Sequence, residues 1–335
     1  MLIVGGFGHA VCVFDEWFKD FAPVTLVGAV QTLPDETLDQ FLSHPWARQF
    51  NSEIFHDLRQ AITQKKPDIV VVSTRPHLNP EIIETCLYEG CHVIAEKPLA
   101  VNKEGLIRIR KAVGKTGRLV LPMLHTSLAI AQAKEMVEQG CIGRPVLVNA
   151  RKSYQWGNRA KWFNDRKNYS GMWAWVGIHS FNQAVYITNC QMKKIVAVQE
   201  GNFDHPEFTD CPDCLTGLFE LENNIQMTGS IDLLRPNGQK EWGDDWIRVV
   251  GTEGSIEVNP ALQNIRLIRK GHEEAILQCD GASAPFYTPF INEIINNQVC
   301  NEWTNLGIHL TNVAISTDIV SHRGSHGVSL GEDSI

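Results

Sequence analysis

Short, mostly apolar runs punctuate the first third of the chain: Leu2-Ile-Val4, residues 24–30, Ile69-Val-Val-Val72, Val93-Ile-Ala95 and residues 118–122. Aliphatic, β-branched runs of this length without polar alternation read as strands buried on both faces. Between them the apolar spacing is helical, over 10–18, over 57–65, along the face Ile82, Ile83, Cys86 and Leu87, and along the face Leu106, Ile107, Ala112 and Val113. Pro80 suits a helix's first turn, Gly90 suits its end, and Asn102 suits the cap of the next. Strands alternating with helices predict a parallel, doubly wound sheet that ends near Pro122.

Beyond a helix predicted over 127–139 and stopped by Gly140, the period changes to two. Residues 145–154 alternate, as do 215–234 with a hairpin signal at Asn223-Asn224, and 246–258 with a turn at Gly251-Thr-Glu-Gly254. Alternation predicts a mostly antiparallel, open sheet with helices on one face. Two late helices, 286–297 and 304–321, close the chain. The expected fold is therefore α/β followed by α+β, with a dinucleotide-type domain over 1–122 and a second domain over 123–335. An open apolar sheet face invites a second copy, so a homodimer or homotetramer is expected.

Charge and composition narrow the partners. The 335 residues carry a net charge of −8, with no basic footprint for nucleic acid or an anionic membrane surface. No apolar run approaches the roughly 20 residues that span a bilayer. Met1-Leu-Ile-Val4 enters a strand at once, which leaves no room for a signal peptide, and nine irregularly spaced cysteines suit a reducing cytoplasm. Cys211-Pro-Asp-Cys214 has no second pair at zinc-ribbon spacing and opens no thioredoxin-like helix, so ordinary thiols are expected there and no metal site.

The candidate chemistry begins at the ends of the buried strands, where ligands of open α/β sheets lie. Gly5-Gly6-Phe7-Gly8-His9 follows the first strand and opens a helix, the arrangement that turns backbone N–H groups toward a pyrophosphate. Its spacing is not a regular GxGxxG, and glycines also serve ordinary tight turns. Gln31 and Thr32 follow the second strand, where an acid commonly binds the adenosine ribose; an amide can hold a diol without repelling a 2′-phosphate. Either NAD or NADP is admitted, with a lean to NAD. The fourth run ends in Glu96-Lys97-Pro98, and the proline stops the ladder.

Glu96-Lys97-Pro98, preceded by Gly90-Cys-His92-Val93, resembles the signature of the Gfo/Idh/MocA family of oxidoreductases. The resemblance runs from the glycine-rich start through Thr74 to Gly177-Ile-His179. It implies that Ser73, Thr74, Arg75, His77, Asn79, Glu96 and Lys97 line a nicotinamide dinucleotide. Arg75 stands where the family has proline, and Asn79 where it commonly has histidine. In the second domain the family pattern is Asp-x-Gly-x-His-x-x-Asp. Gly177 and His179 match it, whereas Trp175 and Asn182 replace the two acids.

Oxidation of an alcohol needs a base for the hydroxyl proton, and His179 is of suitable type. Lys97 can hold the substrate oxygen. A lone histidine on a helix is more often a core group; the Gly-x-His match and Lys97 together favour function. Tyr154, Trp156, Arg166, Trp175 and Asn182 would suit a sugar or polyol, with ring faces against C–H patches and polar tips for hydroxyls. His125 is an additional candidate for substrate contact. Lys97 and His179 come from different domains and are expected to meet at the cleft between them. The reading is a NAD(P)-dependent dehydrogenase of a sugar, inositol or related polyol. Two alternatives stay open: a lyase or hydrolase that oxidises its sugar only transiently, and a non-catalytic binding protein on the same fold.

Overall fold

The computed structural model describes residues 1–6, 8–20, 24–34, 38, 43, 53–280, 286–297, 301–324 and 328–330. The first part alternates strand and helix: β1 (Leu2–Val4), α1 (Ala10–Asp20), β2 (Gly28–Val30), β3 (Ile54–Phe55), α2 (Leu58–Lys65), β4 (Ile69–Val72), α3 (Asn79–Tyr88), β5 (His92–Ala95), α4 (Lys103–Thr116) and β6 (Val120–Pro122). The strands lie in the order β3-β2-β1-β4-β5-β6, all parallel. The order reverses between β1 and β4, which makes the ends of those strands the topological switch point. Every residue of β1, β2, β4, β5 and β6 is buried, as unbroken apolar runs require. Local chemistry sets the helix starts: Asp57 accepts the Gln60 N–H at 2.7 Å, and Asn102 accepts that of Gly105 at 2.8 Å. The second strand is shorter than the 24–30 run, beginning at Gly28, and β3 carries too little apolar sequence to stand out.

The second part contains α5 (Leu128–Glu138), β7 (Pro145–Tyr154), a π-helical turn at Trp173–Gly177 that runs into α6 (Ile178–Thr188), β8 (Met192–Gly201), β9 (Cys214–Leu221), β10 (Gln226–Asp232), β11 (Gly243–Gly251), β12 (Gly254–Asn259), β13 (Asn264–Arg269) and β14 (Ala275–Gln278). Helices α7 (Tyr287–Ile295) and α8 (Glu302–Arg323) follow, then β15 (Val328–Ser329). Nine strands pair in the order β14-β13-β12-β11-β7-β10-β9-β8-β15. All pairs are antiparallel except β7 with β10.

Val148, Ala150, Phe219, Met227, Ile231, Ile247 and Val249 make the buried face of this sheet, and α5 and α6 pack on it. The other face is less apolar than the alternation predicts. Asn149, Arg151, Thr216, Thr228 and Ser230 line a shallow cavity there of about 550 Å³, with Leu218 and Trp246 as its large apolar groups.

The chain gathers into two compact units. The first takes the described residues of Met1–His125, Lys167–Tyr169 and Pro285–Thr311; the second takes those of Thr126–Arg166, Ser170–Ala284 and Asn312–Ile335. Within the first unit, Glu16 of α1 accepts the N–H groups of Phe286, Tyr287 and Thr288 at 2.9–3.0 Å and so caps α7. The early half of α8 lies along β6: Thr304 accepts the Val120 N–H at 3.0 Å, and Gly307 approaches Pro122 so closely that a Cβ would stand 2.6 Å from its ring.

Candidate functional site

The first unit builds its site where β1, β4 and β5 end. Gly5 sits at φ +77° against the end of β4, where a Cβ would come within 2.5 Å of the Ser73 carbonyl. Gly8, at φ +78°, leaves room for the Glu96 carboxylate; its Cβ would fall 2.1 Å from Oε2. Any other residue at these positions is both strained and obstructed. Glu96 then locks the glycine turn: the His9 N–H donates to its Oε2 at 2.7 Å, and His9 Nδ1 lies 3.0 Å from both oxygens. Burial pushes the Glu96 carboxyl up, but the His9 charge, the His9 hydrogen bonds and Lys97 outweigh it and hold the group down at about 2.

Asn79 clamps the same segment from beneath. Its amide donates to the carbonyls of Glu96 at 2.9 Å and Pro98 at 3.0 Å, and Thr74 Oγ1 donates to its Oδ1 at 3.1 Å. With both amide hydrogens committed and no exposed surface, Asn79 positions the Glu96–Pro98 turn. Lys97 follows, 3% exposed, with Nζ 3.9 Å from Glu96 Oε1 and a cis peptide to Pro98.

Ser73, Thr74 and Glu96 are buried like Asn79, whereas Gly6, Gly8, His9, Gln31, Thr32, Arg75 and His77 keep exposed surface. Phe7 lies outside the described residues. Among the described residues the main-chain N–H groups of Gly6 and Gly8, beside the start of α1, donate to no carbonyl. That suits a pyrophosphate. His125 is brought to this turn, its ring 5.5 Å from that of His9 and exposed.

In the second unit the π-helical turn carries the aromatic and glycine positions. Asp318 of α8 supplies its start. Asp318 Oδ1 accepts the Trp173 N–H at 2.9 Å, and Oδ2 accepts the Ala174 N–H at 3.0 Å and the Ser170 hydroxyl at 3.1 Å. Burial nevertheless pushes its carboxyl up to about 7, against those hydrogen bonds and the Arg166 charge. Gly171 admits this carboxylate, since a Cβ there would lie 2.4 Å from Oδ1. Gly177 lets the helix settle onto Trp173, at 2.6 Å from a hypothetical Cβ. Trp173 is core, stacked on Phe181 at 5.6 Å. Trp175 keeps exposed surface and meets Phe163 edge-on at 5.3 Å. His179 stands half-buried on the first turn of α6, and Asn182, three residues on, shares its face but is buried.

Three of the other expected substrate contacts are already engaged. Tyr154 is hydrogen-bonded to Asp245, and burial with that neighbouring charge pushes its phenol well up. Lys152 Nζ reaches the same Asp245 at 2.5 Å across the β7–β11 pair. Trp156 stacks on His205 at 3.8 Å with the Arg159 guanidinium 4.9 Å over the ring; at those distances the two must lie on opposite faces. Arg166 Nη2 donates to Glu200 Oε1 at 2.6 Å, and Nε lies 4.0 Å from Asp210. Trp156 and Arg166 thus take part in internal packing and charge balance, and both keep exposed surface. Asp318 went unnoticed in the sequence, although a single acid in the apolar run Val313 to Val320 marks a buried, partnered carboxylate.

Comparison with known proteins places both units. Residues 2–123 match the NAD-binding Rossmann-fold domain of an oxidoreductase family, and residues 130–257 match the GFO/IDH/MocA C-terminal domain. The 2,7-anhydro-N-acetylneuraminate hydratase of Escherichia coli is 23% identical over 220 residues, 64% of this chain and 57% of that protein. The D-xylose 1-dehydrogenase [NADP(+)] of Haloarcula marismortui is 24% identical over 241 residues, 68% of this chain and 63% of that protein. The chain thus spans about three-fifths of the length of these two relatives. A solved structure from Thermotoga maritima superposes with a TM-score of 0.88 at 25% identity, covering 98% of this chain and 99% of that one.

Proposed function

Because the chain belongs to the Gfo/Idh/MocA oxidoreductase family, we propose that it is a nicotinamide-dependent dehydrogenase of a CH–OH group in a sugar or related polyol. The observation that supports this reading is the lock between Glu96 and the glycine turn, with Lys97 Nζ 3.9 Å from the same carboxylate. A bound nicotinamide supplies the hydride acceptor. The turn Gly5 to His9 holds the pyrophosphate, and Gln31 takes the ribose hydroxyls. Lys97 holds the substrate oxygen and stabilises the alkoxide as it develops. His179 accepts the hydroxyl proton. Gln31 brings no carboxylate against a 2′-phosphate and no cation for it, and the preferred cofactor is NAD.

A second reading is favoured by one relative and one residue. The Escherichia coli relative is named a hydratase, and Trp175 offers an indole where the family pattern has an acid. Transient oxidation of one carbon would acidify its neighbour, permit elimination or hydration, and end with the hydride returned. Absorbance at 340 nm after adding NAD or NADP with a panel of aldoses and inositols separates the two. Net reduction supports the dehydrogenase. Substrate consumed without net reduction supports the second reading, and binding without turnover overturns both. We further propose that the protein is a cytoplasmic homodimer or homotetramer assembled through the open face of its nine-stranded sheet.

A further inference from the structure

The amino-terminal edge of the parallel sheet, at the opposite end of the strands from Lys97, carries a cavity of about 510 Å³. It lies where α2 ends and β4, β5 and β6 begin, and its ionisable lining is Lys66, Asp68, Glu89, Cys91, His92 and Arg118. The two acids already have cationic neighbours. Glu89 is paired with Arg59, and Asp68 faces the Met1 ammonium. Lys66 and Arg118 take part in no ion pair among the described residues. The cations of the lining are therefore the charges left without an opposite partner, while its acids are balanced from outside it.

His92 adds a second, independent sign. It is 6% exposed, and its Nδ1 accepts the Leu119 N–H at 3.1 Å. Burial, then the Arg118 charge, push its imidazolium down to about 4, so the ring is neutral at physiological pH. Its one proton must then sit on Nε2. Nε2 lies 3.0 Å from Arg118 Nη1, which has only hydrogens to offer. A buried donor and a half-buried one thus face each other at 3.0 Å. A group that accepts from both resolves the conflict, and negative charge on it would suit Arg118 and Lys66.

We propose that this cavity is a second small-molecule site, taking an oxyanion (a phosphate ester or a carboxylate) on Arg118, His92 and Lys66. The site is separate from the proposed active site. The four residues of β5 put it about 13 Å from Glu96 along the strand. Because His92 opens the strand that Glu96 and Lys97 close, an occupant would bear on the catalytic turn through a single rigid element.

The test uses protein saturated with NAD, so that the dinucleotide turn is closed to competing anions. Inorganic phosphate and acetate are titrated separately, with the His92 ring signals followed by NMR. Phosphate should shift them saturably, with an affinity at least about tenfold weaker in Arg118→Gln, the loss of one charge-assisted partner. Saturation by acetate instead assigns a carboxylate ligand. If Arg118→Gln fails to fold, the exposed Lys66→Gln gives the same reading with a smaller loss. His92 signals unmoved by both anions, or equal affinity in the wild type and both variants, overturn the site.

Discussion

Lys97 and Asn79 stand in the same turn and do different work. Lys97 is the ammonium that would meet a developing alkoxide, so Lys97→Ala should lower kcat by about 10²–10³-fold, the usual effect of removing one preorganised donor. NAD affinity should hold, because no adenosine or pyrophosphate contact is lost; unchanged turnover at 340 nm would remove Lys97 from the mechanism. Asn79→Ala strips the donor from two buried carbonyls, those of Glu96 and Pro98. Each orphaned group costs about 1–3 kcal/mol, so a clear drop in the urea midpoint is expected. Activity per folded molecule should also fall, since Lys97 is hung on that turn. A midpoint equal to the wild type's would show that the clamp is not structural. Lys97 was singled out by its place after a buried strand together with the Glu96-Lys97-Pro98 resemblance. Asn79's role was not legible, because its partners are main-chain atoms 17 and 19 residues away that no local pattern reports.

At the scale of elements, Asp318 ties α8 to the π-helical turn that leads into His179. Its carboxyl is raised from an ordinary 3.8 to about 7. The stability it contributes is therefore fully present below about pH 3.8 and is lost as pH rises through about 7. The loss should be on the order of 4 kcal/mol for this fully buried group. Asp318→Asn should flatten that limb of the stability–pH curve. It should also be less stable than the wild type at pH 5, because Trp173 and Ala174 donate to different oxygens and the amide nitrogen that replaces one of them cannot accept. Chemical denaturation across pH 4–8 checks both, and a limb that survives in the variant assigns it elsewhere. Glu96 gives the opposite limb: held at about 2, it stabilises above pH 4.5 and lets go as pH falls toward 2. Most of the regular elements were readable, since β1, β4, β5 and β7 and the helices after Asp57 and Asn102 follow from apolar period and caps. The irregular stretch from Tyr154 to Gly177 was not. Trp173 and Trp175 differ in burial on a turn that is π-helical. Its geometry is fixed by Asp318, more than 140 residues along the chain. The partners of Trp156 and Arg166 were unreadable for the same reason: an indole and a guanidinium suit a sugar, and they equally suit His205 and Glu200.

At the scale of the whole molecule, assembly turns on the open face of the nine-stranded sheet. A sheet with helices on one side leaves its other side to water or to another copy. Here that side is a mixed surface, with Thr216, Thr228, Ser230 and Asn149 around Leu218 and Trp246. Such composition suits an interface with an apolar centre and a polar surround, as well as it suits solvent. Arg151 is partly committed within the chain, to Asp244 at 2.8 Å and over the Trp246 ring at 5.8 Å, so the face carries no large unbalanced charge to repel a copy of itself. Leu218, 48% exposed, is the apolar group most open to a partner in that cavity. In a two-fold arrangement each copy would present Leu218 to the same patch of the other, so a single substitution acts twice. Leu218→Arg should then move the protein from dimer or tetramer to a smaller species in sedimentation velocity at micromolar concentration. The fold should stay intact by circular dichroism, because the side chain points away from the covered face. Wild-type protein that sediments as a monomer removes the proposal, and an oligomer unchanged by Leu218→Arg places the interface on another surface.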